Sequence, residues 1–370
     1  MPFLLRLSNL QSLLSQSACD AIIIENQIDL YYLTGLNLSS GKLLASKNGA
    51  FLWVDNRYLE LCKRHSPYPV MLLEESSLSN WLKEPAGQTM QTLAFDSENT
   101  TYSHYLTLQS LINELNASSR SSNPLNLLPL DNPVKKLRMI KGQEEIGFLK
   151  EAAWLGSQGF DYLCSLIKEG VTESMLSTEL EIFWKKGGGQ AVSFEPIIAF
   201  GTNSSMPHYR SSQAILKKGQ AILVDIGVKY QYYHSDMTRM IFFGEPDPKI
   251  LEIYQIALQA QKKALKLCRP GTLIGDLDKV AREWISSQGY GPNFTHSLGH
   301  GIGLEIHEYP MLRNKPPFNT LPLQEGMVIT IEPGIYLPGI GGVRIEDTIA
   351  ITAKGYHNLT ERSTDPLVIE

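Results

Sequence analysis

The sequence predicts an α+β protein of two domains, an α/β domain at residues 1–133 followed by an α+β domain at residues 134–370. The chain has 370 residues, more than a single hydrophobic core usually serves. Short strand patterns alternate with helical patterns in the first third, whereas long helices and long apolar strands follow it. Between them, Asn116–Asn132 is rich in Ser, Asn and Pro, and we interpret it as a linker or surface excursion.

The first domain contains five predicted strands and a helix. Apolar runs bounded by turn residues predict the strands, and Asn48-Gly49 is a hairpin signal between two of them. Apolar residues at helical spacing predict a helix at His104–Leu115. The strands are expected at Asp20–Glu25, Lys42–Ser46, Ala50–Val54, Val70–Leu73 and Thr92–Phe95.

The second domain contains four predicted helices and five strand segments. Glu144 and Glu145 favour the start of the first helix through the helix dipole, and the glycines at 187–189 end the second. The helices are expected at Gln143–Lys168, Glu173–Lys186, Pro248–Leu267 and Ile274–Ser287. The strand segments are expected at Val192–Phe200, Ala221–Val228, Tyr232–Phe243, Met327–Tyr336 and Gly342–Ile351.

Composition and charge exclude several classes of protein. A hydrophobic content of 43% and a charged content of 19% are typical of globular proteins. The net charge of −5 offers no basic face for nucleic acid. No apolar run approaches the roughly 20 residues of a membrane span, so we expect neither nucleic acid nor membrane as a partner. The four scattered cysteines predict reduced thiols in a cytoplasmic protein.

Four acidic residues lie inside apolar strand segments, where a carboxylate is costly unless it is paired or bound to a metal. These are Asp225 in AILVDIGV, Asp236 in QYYHSDMTRMIFF, Glu332 in MVITIEPGIYL and Glu346 in GVRIEDTIAI. One such acid could belong to a salt bridge, but four of them, with histidines nearby, need a common explanation. A set of structural salt bridges is the alternative.

Hairpin symmetry places these acids in opposed pairs. Asp225 and Asp236 are equidistant from a turn centred between residues 230 and 231, and Glu332 and Glu346 are equidistant from Gly339. Opposed residues in a hairpin have Cβ atoms about 4.5–5.5 Å apart. Two carboxylates at that distance repel each other unless cations lie between them, so the symmetry predicts two facing acid pairs around a cation site.

The ligand set predicts two divalent metal ions. Two such ions would neutralise four carboxylates, and two metals about 3.5–4 Å apart form a known hydrolytic arrangement. The candidate imidazole ligand is His300, because the glycines on both sides of it let the backbone approach closely. Oxygen-rich ligation with one imidazole suits Mn²⁺ first, with Co²⁺, Fe²⁺ or Zn²⁺ as alternatives.

The motifs LVDIGV, SDMTR, GHGIGLEIHE, ITIEPGIY and GVRIEDT, in this order and spacing, resemble the pita-bread metallopeptidases. The resemblance begins near Met139 and implies a pita-bread catalytic domain. LYYLTG at 30–35 and VDNRY at 54–58 resemble the creatinase-like N-terminal domain of Xaa-Pro aminopeptidases and prolidases. Methionine aminopeptidases lack that domain. Creatinase and the histone-chaperone relatives lack the metal ligands that this sequence keeps.

The resemblance implies a role for each candidate site residue. The metal ligands would be Asp225, Asp236, His300, Glu332 and Glu346. Glu332 would also shuttle a proton. His208 and His307 would contact the substrate and stabilise the tetrahedral intermediate, with a structural role as the alternative. His296 would line the same pocket, and Arg344 would orient the acids from behind them.

The implied activity is hydrolysis of a peptide bond whose nitrogen belongs to proline, a tertiary amide without an N–H. The main prediction is an Xaa-Pro aminopeptidase that releases the first residue of short peptides with proline at the second position. An Xaa-Pro dipeptidase (prolidase), which needs a free proline carboxylate, is the alternative. A metal-free binding module on the same fold is a third hypothesis. The resemblance also implies a homodimer.

Overall fold

The computed structural model describes residues 2–118 and 124–370, and the chain divides into two compact units between Arg138 and Met139. The predicted limit at residue 133 falls at the first residue of the short helix that ends the N-terminal unit. Within the described ranges, every helix is too short or too polar to cross a membrane.

The N-terminal unit is built on a six-stranded sheet with the strand order β4-β3-β2-β1-β5-β6. Its strands are β1 (Ala21–Ile24), β2 (Lys42–Ser46), β3 (Gly49–Val54), β4 (Val70–Leu72), β5 (Thr92–Asp96) and β6 (Asn126–Leu130). Its helices are α1 (Pro2–Gln16), α2 (Gln27–Thr34), α3 (Leu59–His65), α4 (Ser77–Lys83), α5 (Pro85–Gln88), α6 (Tyr102–Ser118) and α7 (Pro133–Arg138). Strands β1, β5 and β6 run parallel to one another, and β1, β2 and β3 form an antiparallel meander.

Local chemistry explains where the first elements begin and end. The Asn26 side chain accepts hydrogen bonds from two backbone N–H groups in the first turn of α2, as an N-cap residue does. Gly35 ends that helix at φ 72°, a left-handed conformation that glycine adopts without strain. The predicted hairpin between β2 and β3 is confirmed, but its turn is Lys47-Asn48, one residue earlier than the predicted Asn48-Gly49, because Gly49 pairs with Ser46.

The predicted linker at Asn116–Asn132 is wrong in part. Residues 116–118 continue helix α6, and Asn126–Leu130 forms strand β6, while positions 119–123 lie outside the described residues. Pro129 lies within this strand although proline cannot donate to a ladder of hydrogen bonds. Strand β6 is an edge strand, and an edge strand tolerates a proline because one of its sides faces no neighbour.

The C-terminal unit contains four helices and fourteen strands in its described residues. The helices are α8 (Gln143–Leu166), α9 (Glu173–Lys186), α10 (Pro248–Leu265) and α11 (Ile274–Ser287). The strands are β7 (Ala191–Val192), β8 (Ile197–Phe200), β9 (Gln220–Ile226), β10 (Val228–Tyr230), β11 (Tyr233–His234), β12 (Met237–Phe243), β13 (Gly299–Gly301), β14 (Glu308–Leu312), β15 (Val328–Ile331), β16 (Gly334–Leu337), β17 (Gly341–Arg344), β18 (Asp347–Thr352), β19 (Gly355–Asn358) and β20 (Leu367–Ile369).

The two larger sheets of this unit have the orders β20-β12-β9-β8 and β14-β13-β15-β18-β19. Strand β9 is buried on both faces. Leu223 packs into a cluster with residues of α10 and α11, whereas its neighbours Ile222 and Val224 pack into a second cluster with residues of α8 and α9. A strand covered on both faces is apolar along its whole length, so an acid within it is necessarily buried.

Four of the five strand segments predicted in the second domain are interrupted at or close to a candidate metal ligand. Asp236 lies between β11 and β12, Glu332 between β15 and β16, and Glu346 between β17 and β18. Asp225 is in β9, two residues before the break at Gly227. Breaks in the hydrogen-bond ladder between strands change the direction of side chains and are common next to active sites. Here they mean that the acids need not follow the regular alternation of side chains between the two faces of a sheet.

Of the two predicted hairpin registers, one is confirmed and the other is wrong. Strands β16 and β17 pair Gly334 with Arg344, which is the symmetry about Gly339 that the sequence predicts and is therefore confirmed. The other predicted register is wrong, because Asp225 pairs with Thr238 and not with Asp236. The turn is formed by Gln231 and Tyr232, both at positive φ, so its centre lies one residue later than predicted. The two acids nevertheless line the same cavity.

Candidate metal centre

Every residue predicted for the site lines one cavity of about 540 Å³ in the C-terminal unit. The predicted residues are Asp225, Asp236, His300, Glu332, Glu346, His208, His296, His307 and Arg344. Apolar side chains complete the wall, among them Phe194, Ile306 and Met311. A concave, partly apolar pocket with convergent polar groups is typical of small-molecule sites.

Three predicted ligands bring their atoms together at the bottom of this cavity. Asp236, His300 and Glu346 each place one ligand atom within 4.8 Å of the others, and all three are buried. The Nε2 atom of His300 lies 3.5 Å from Asp236 Oδ2 and 3.5 Å from Glu332 Oε1. Asp225 lies outside that closest group but lines the same cavity.

The carboxylates of this cluster have oxygens that nothing in the described chain satisfies. Asp225 Oδ1, Asp236 Oδ1 and Glu346 Oε1 are buried and have no hydrogen-bond partner there. An unsatisfied buried polar atom costs about 1–3 kcal/mol, and more when it is charged. Divalent cations bind carboxylate oxygens, so this donor set fits one or more metal ions. Such ions would balance the otherwise uncompensated charge of the carboxylates.

Arg344 holds two of the acids in place from the protein side. Its guanidinium donates to Asp225 Oδ2 through Nη2 and to Thr238 Oγ1 through Nε, the latter at 3.1 Å. Thr238 in turn donates to Glu346 Oε2 at 2.7 Å. One oxygen of each acid is therefore fixed by the protein, and the other is the unsatisfied oxygen. Outer contacts of this kind orient metal ligands.

Comparison with known proteins identifies the family. Residues 147–353 match the sequence model of Metallopeptidase family M24, and residues 6–140 match the Creatinase/Prolidase N-terminal domain. The first match spans more than half of the chain. The chain belongs to metallopeptidase family M24. Its fold class is confirmed as a pita-bread catalytic domain behind a creatinase-like N-terminal domain.

Individual relatives of this M24 peptidase match along nearly the whole chain. An Xaa-Pro dipeptidase from Pyrococcus furiosus is 35% identical over 364 residues, which cover 98% of this chain and 99% of the relative. The solved structure of an Xaa-Pro dipeptidase from Bacillus anthracis has a TM-score of 0.91 at 34% identity, covering 99% and 100% of the two chains. An X-Pro aminopeptidase from Thermotoga maritima has a TM-score of 0.83 at 32% identity, covering 95% and 99%.

Burial and mutual repulsion raise the pKa values of the acids in this metallopeptidase. Desolvation is the main cause at Glu332, where the nearby Glu346 adds to it and the pKa rises to about 8. The pKa values of Asp236 and Glu346 are also raised well above their ordinary range, by desolvation first and then by neighbouring carboxylates. In the metal-free protein, the Glu332 carboxyl therefore holds a proton near neutral pH.

Hydrogen bonding fixes the tautomer of His300. Its Nδ1 lies 3.0 Å from the carbonyl oxygen of Gly301, and a carbonyl only accepts, so Nδ1 carries the proton. The lone pair is then on Nε2, which faces the acids. This is the arrangement that a metal-ligating histidine needs. The ring of His307 packs edge-on against that of His300, with centroids 4.3 Å apart.

A chain of hydrogen bonds assigns the protons around His296. Arg344 donates to the Tyr336 hydroxyl at 2.8 Å, so Tyr336 must donate its own proton to His296 Nε2, 2.9 Å away. His296 Nδ1 then donates to the carbonyl of Ser297 at 2.8 Å. Desolvation and the charge of Arg344 lower the pKa of His296 to about 4, so this ring is neutral and both its nitrogens are engaged.

Two polar residues of the centre were not singled out from the sequence. Thr238 bridges Arg344 and Glu346, and Tyr336 links Arg344 to His296. Both stand inside motifs that carried the resemblance, SDMTR and ITIEPGIY. Their roles depend on contacts across the sheet, of which sequence spacing gives no sign. Their position in the motifs was the available signal.

The arrangement is suited to hydrolysis. Divalent metal ions bound at such a centre act as Lewis acids and lower the pKa of bound water toward neutrality. The chain supplies carboxylate and imidazole ligands, a Glu332 carboxyl that can hold a proton, and the imidazoles of His208 and His307 at the cavity wall.

Proposed function

We propose that this M24 metallopeptidase is an Xaa-Pro dipeptidase (prolidase) that depends on two divalent metal ions. The observation that carries the proposal is the set of buried carboxylates with unsatisfied oxygens in a cavity whose size suits a small peptide. The Pyrococcus furiosus and Bacillus anthracis relatives bear that name. They favour the alternative over our main sequence prediction, an Xaa-Pro aminopeptidase, which the Thermotoga maritima relative keeps open.

The proposed metal ligands are the five that the sequence predicts: Asp225, Asp236, His300, Glu332 and Glu346. Four carboxylates balance two divalent ions in charge, and a site of mostly oxygen ligands with one imidazole suits Mn²⁺ best, ahead of Co²⁺, Fe²⁺ and Zn²⁺. Arg344, Thr238 and Tyr336 would keep the ligands oriented.

The remaining site residues act on the substrate in this proposal. Glu332 would take a proton from the water whose oxygen attacks the carbonyl carbon, and would give that proton to the proline nitrogen as the C–N bond breaks. His208 and His307 contact the substrate and stabilise the negative charge that develops on the scissile carbonyl oxygen. His296 lines the pocket and, through Tyr336, steadies Arg344. None of these roles needs an N–H on the scissile nitrogen, which suits a bond to proline.

Arg210 is the cation that we propose for the free carboxylate of a dipeptide. Among the described residues that line the cavity, the other arginine is Arg344, whose donors are already engaged. Arg210 Nε lies 3.7 Å from Glu195 Oε2, and both side chains are exposed, so this ion pair contributes little energy. A guanidinium of this kind can bind a carboxylate through two parallel hydrogen bonds.

One set of assays separates the two enzymes. Cleavage of an Xaa-Pro dipeptide, its C-terminal amide and an Xaa-Pro-Xaa tripeptide would be compared with Mn²⁺ and after chelation. We expect metal-dependent turnover of the dipeptide and poor turnover of the other two. Efficient release of the first residue from the tripeptide would establish an aminopeptidase, and no turnover of any peptide with Mn²⁺ bound would refute proline specificity.

The Arg210→Gln variant tests the carboxylate contact within the same assays. We expect KM for the dipeptide to rise about 10-fold, because a charge-assisted bond is lost, and KM for the amide to stay within about 2-fold. Glu195→Gln removes the neighbouring charge and is the matched control. Equal losses on the dipeptide and the amide would show that Arg210 does not read the carboxylate.

We further propose that the enzyme is a cytoplasmic homodimer. Its four cysteines are free, and three of them are buried, which suits a reducing compartment. Light scattering of the purified protein tests the dimer, and a mass near 41.4 kDa would mean a monomer.

A further inference from the structure

Glu173 is a buried carboxylate of the C-terminal unit that lies outside the metal cluster. It is the first residue of helix α9, and its side chain is fully buried. It accepts five hydrogen bonds from neutral donors. Burying a carboxylate is costly unless its oxygens are satisfied, so five donors around one acid indicate that the surrounding structure is built to hold a carboxylate at this position.

All five donors belong to one stretch of chain around residues 200–212. Glu173 Oε1 accepts from the backbone N–H of Phe200 at 2.8 Å and from Asn203 Nδ2 at 2.9 Å. Glu173 Oε2 accepts from the Tyr209 hydroxyl at 2.8 Å and from the N–H and hydroxyl of Ser212 at 2.9 and 2.8 Å. The partial positive charge at the start of α9 adds to the stabilisation of this anion.

We call residues 201–212 the anchored segment. It carries His208 and Arg210 into the cavity, and Pro207 also lines it. His208 is exposed and makes no hydrogen bond to any other described residue. Its position therefore depends on the backbone beside it, and the hydroxyl of the next residue, Tyr209, is held by Glu173. One carboxylate thus fixes both ends of the segment and a point beside His208.

We propose that Glu173 is a positioning residue that holds His208 at the metal-centre cavity through the anchored segment. The role of His208 in the reaction rests on the proposed function, whereas the positioning of its ring does not. A displacement of about 1 Å in a substrate-contacting group can cost up to about 100-fold in rate. Weakening the hydrogen bonds of Glu173 is therefore expected to slow the reaction without changing metal binding.

The test variant is Glu173→Gln, which keeps the shape of the side chain. Its amide NH₂ must face a backbone N–H, that of Phe200 or that of Ser212, because each oxygen of Glu173 accepts from one of them. We expect kcat/KM for the cleaved peptide to fall about 10- to 100-fold with unchanged metal content. Tyr209→Phe, which removes one donor and keeps the ring, provides a milder variant should the first fold poorly, with an expected loss of about 3- to 10-fold.

The double variant with His208→Ala shows whether Glu173 acts through His208. The comparison is made in the Arg210→Gln background, where the other cavity residue of the segment no longer binds the substrate. If Glu173 acts through His208, adding Glu173→Gln to His208→Ala there changes kcat/KM by less than about 2-fold, because interacting residues are non-additive. The control is Glu145→Gln, a buried glutamate that accepts from Gly142 and Tyr233; it should leave kcat/KM unchanged in both backgrounds. Full additivity of the Glu173 and His208 losses would overturn the proposal.

A spectroscopic measurement keeps this inference separate from the proposed function. In the metal-free protein, the NMR signals of the His208 ring, assigned by their loss in His208→Ala, should shift in Glu173→Gln and not in Glu145→Gln. Absence of proline-peptide cleavage by the unaltered enzyme would refute the proposed function and leave this result readable. Unchanged His208 signals in Glu173→Gln would refute positioning even if the enzyme is a prolidase.

Discussion

Both units bury carboxylates, and the two units balance the charge in different ways. In the N-terminal unit, Asp29 is 1% exposed and pairs with the equally buried Arg138 at 2.9 Å, one cation for one acid. In the C-terminal unit, Arg344 contacts one of the four acids proposed as metal ligands directly, and three of these four keep an unsatisfied oxygen. An acid matched within the chain supports the fold, whereas an unmatched set of acids is suited to binding cations.

The largest effect on activity is expected when one of the unmatched acids is replaced. Asp236→Asn keeps the size of the side chain and deletes a ligand charge, so we expect kcat/KM to fall by about 1,000-fold or more. Elemental analysis should show fewer than two metal ions per chain. The fold should persist, because the substitution relieves repulsion between buried acids. Retention of full activity by this variant would contradict the account.

A smaller loss is expected when the orientation of the acids is disturbed and their charge is kept. Arg344→Lys retains a cation but cannot contact Asp225, Thr238 and Tyr336 at once, because lysine lacks the planar fork of arginine. We expect a loss of about 10- to 100-fold in metal affinity or kcat/KM, measured by titration with Mn²⁺ and by dipeptide cleavage. A variant with unaltered affinity and activity would show that the orientation is set elsewhere.

The matched pair in the N-terminal unit should show the opposite behaviour. Asp29→Asn removes the buried negative charge that faces the Arg138 guanidinium, and breaking a buried ion pair costs about 3–5 kcal/mol of unfolding free energy. Hydrogen exchange in strands β1 and β5 measures this loss locally. Metal content and kcat/KM of the folded fraction should remain near those of the unaltered enzyme. A fall in metal content would mean that the two sets of acids are not independent in function.

Metal affinity should depend on pH because the raised pKa values oppose metal binding. The pKa of Glu332 is about 8 in the metal-free fold and 4.5 ordinarily, so its protonated form stabilises that fold below pH 4.5 and this contribution is lost as pH rises to about 8. Mn²⁺ must displace such protons. We expect affinity to rise with pH up to about 8 and to level off above it.

Calorimetry in two buffers of different ionisation enthalpy measures the protons released on Mn²⁺ binding. At pH 7 the account predicts a net release from the acid cluster, and the Asp29→Asn variant should release the same number because its altered acid lies outside that cluster. Binding that is independent of pH between 6 and 9 and releases no proton would show that the acids are already ionised in the metal-free protein.

The sequence predicted the acids correctly wherever local symmetry decides their position. Glu332 and Glu346 flank a hairpin whose centre, Gly339, adopts φ 79°, and glycine at such a turn is readable from sequence. The turn between Asp225 and Asp236 uses Gln231 and Tyr232 at positive φ. Neither residue signals a turn, so that register was predicted wrongly.

Residues that act through long-range contacts could not be found from spacing. Glu173 and Ser212 are 39 positions apart, and Thr238 and Glu346 are 108 apart. Strand β6 was missed for a related reason. An edge position makes Pro129 tolerable in a strand, and that position follows only from the order of all six strands in the sheet. Local pattern therefore identified the acids, and tertiary packing determines what surrounds them.

The central claim is that unmatched buried acids in the C-terminal unit hold metal ions. The most direct measurement is a calorimetric titration of the metal-free protein with Mn²⁺, accompanied by elemental analysis of the dialysed product. The account predicts two ions per chain, with Asp29→Asn also binding two and Asp236→Asn binding fewer. An unaltered protein that retains no stoichiometric metal ion would contradict the account and leave a metal-free peptide-binding module on this fold as the better description.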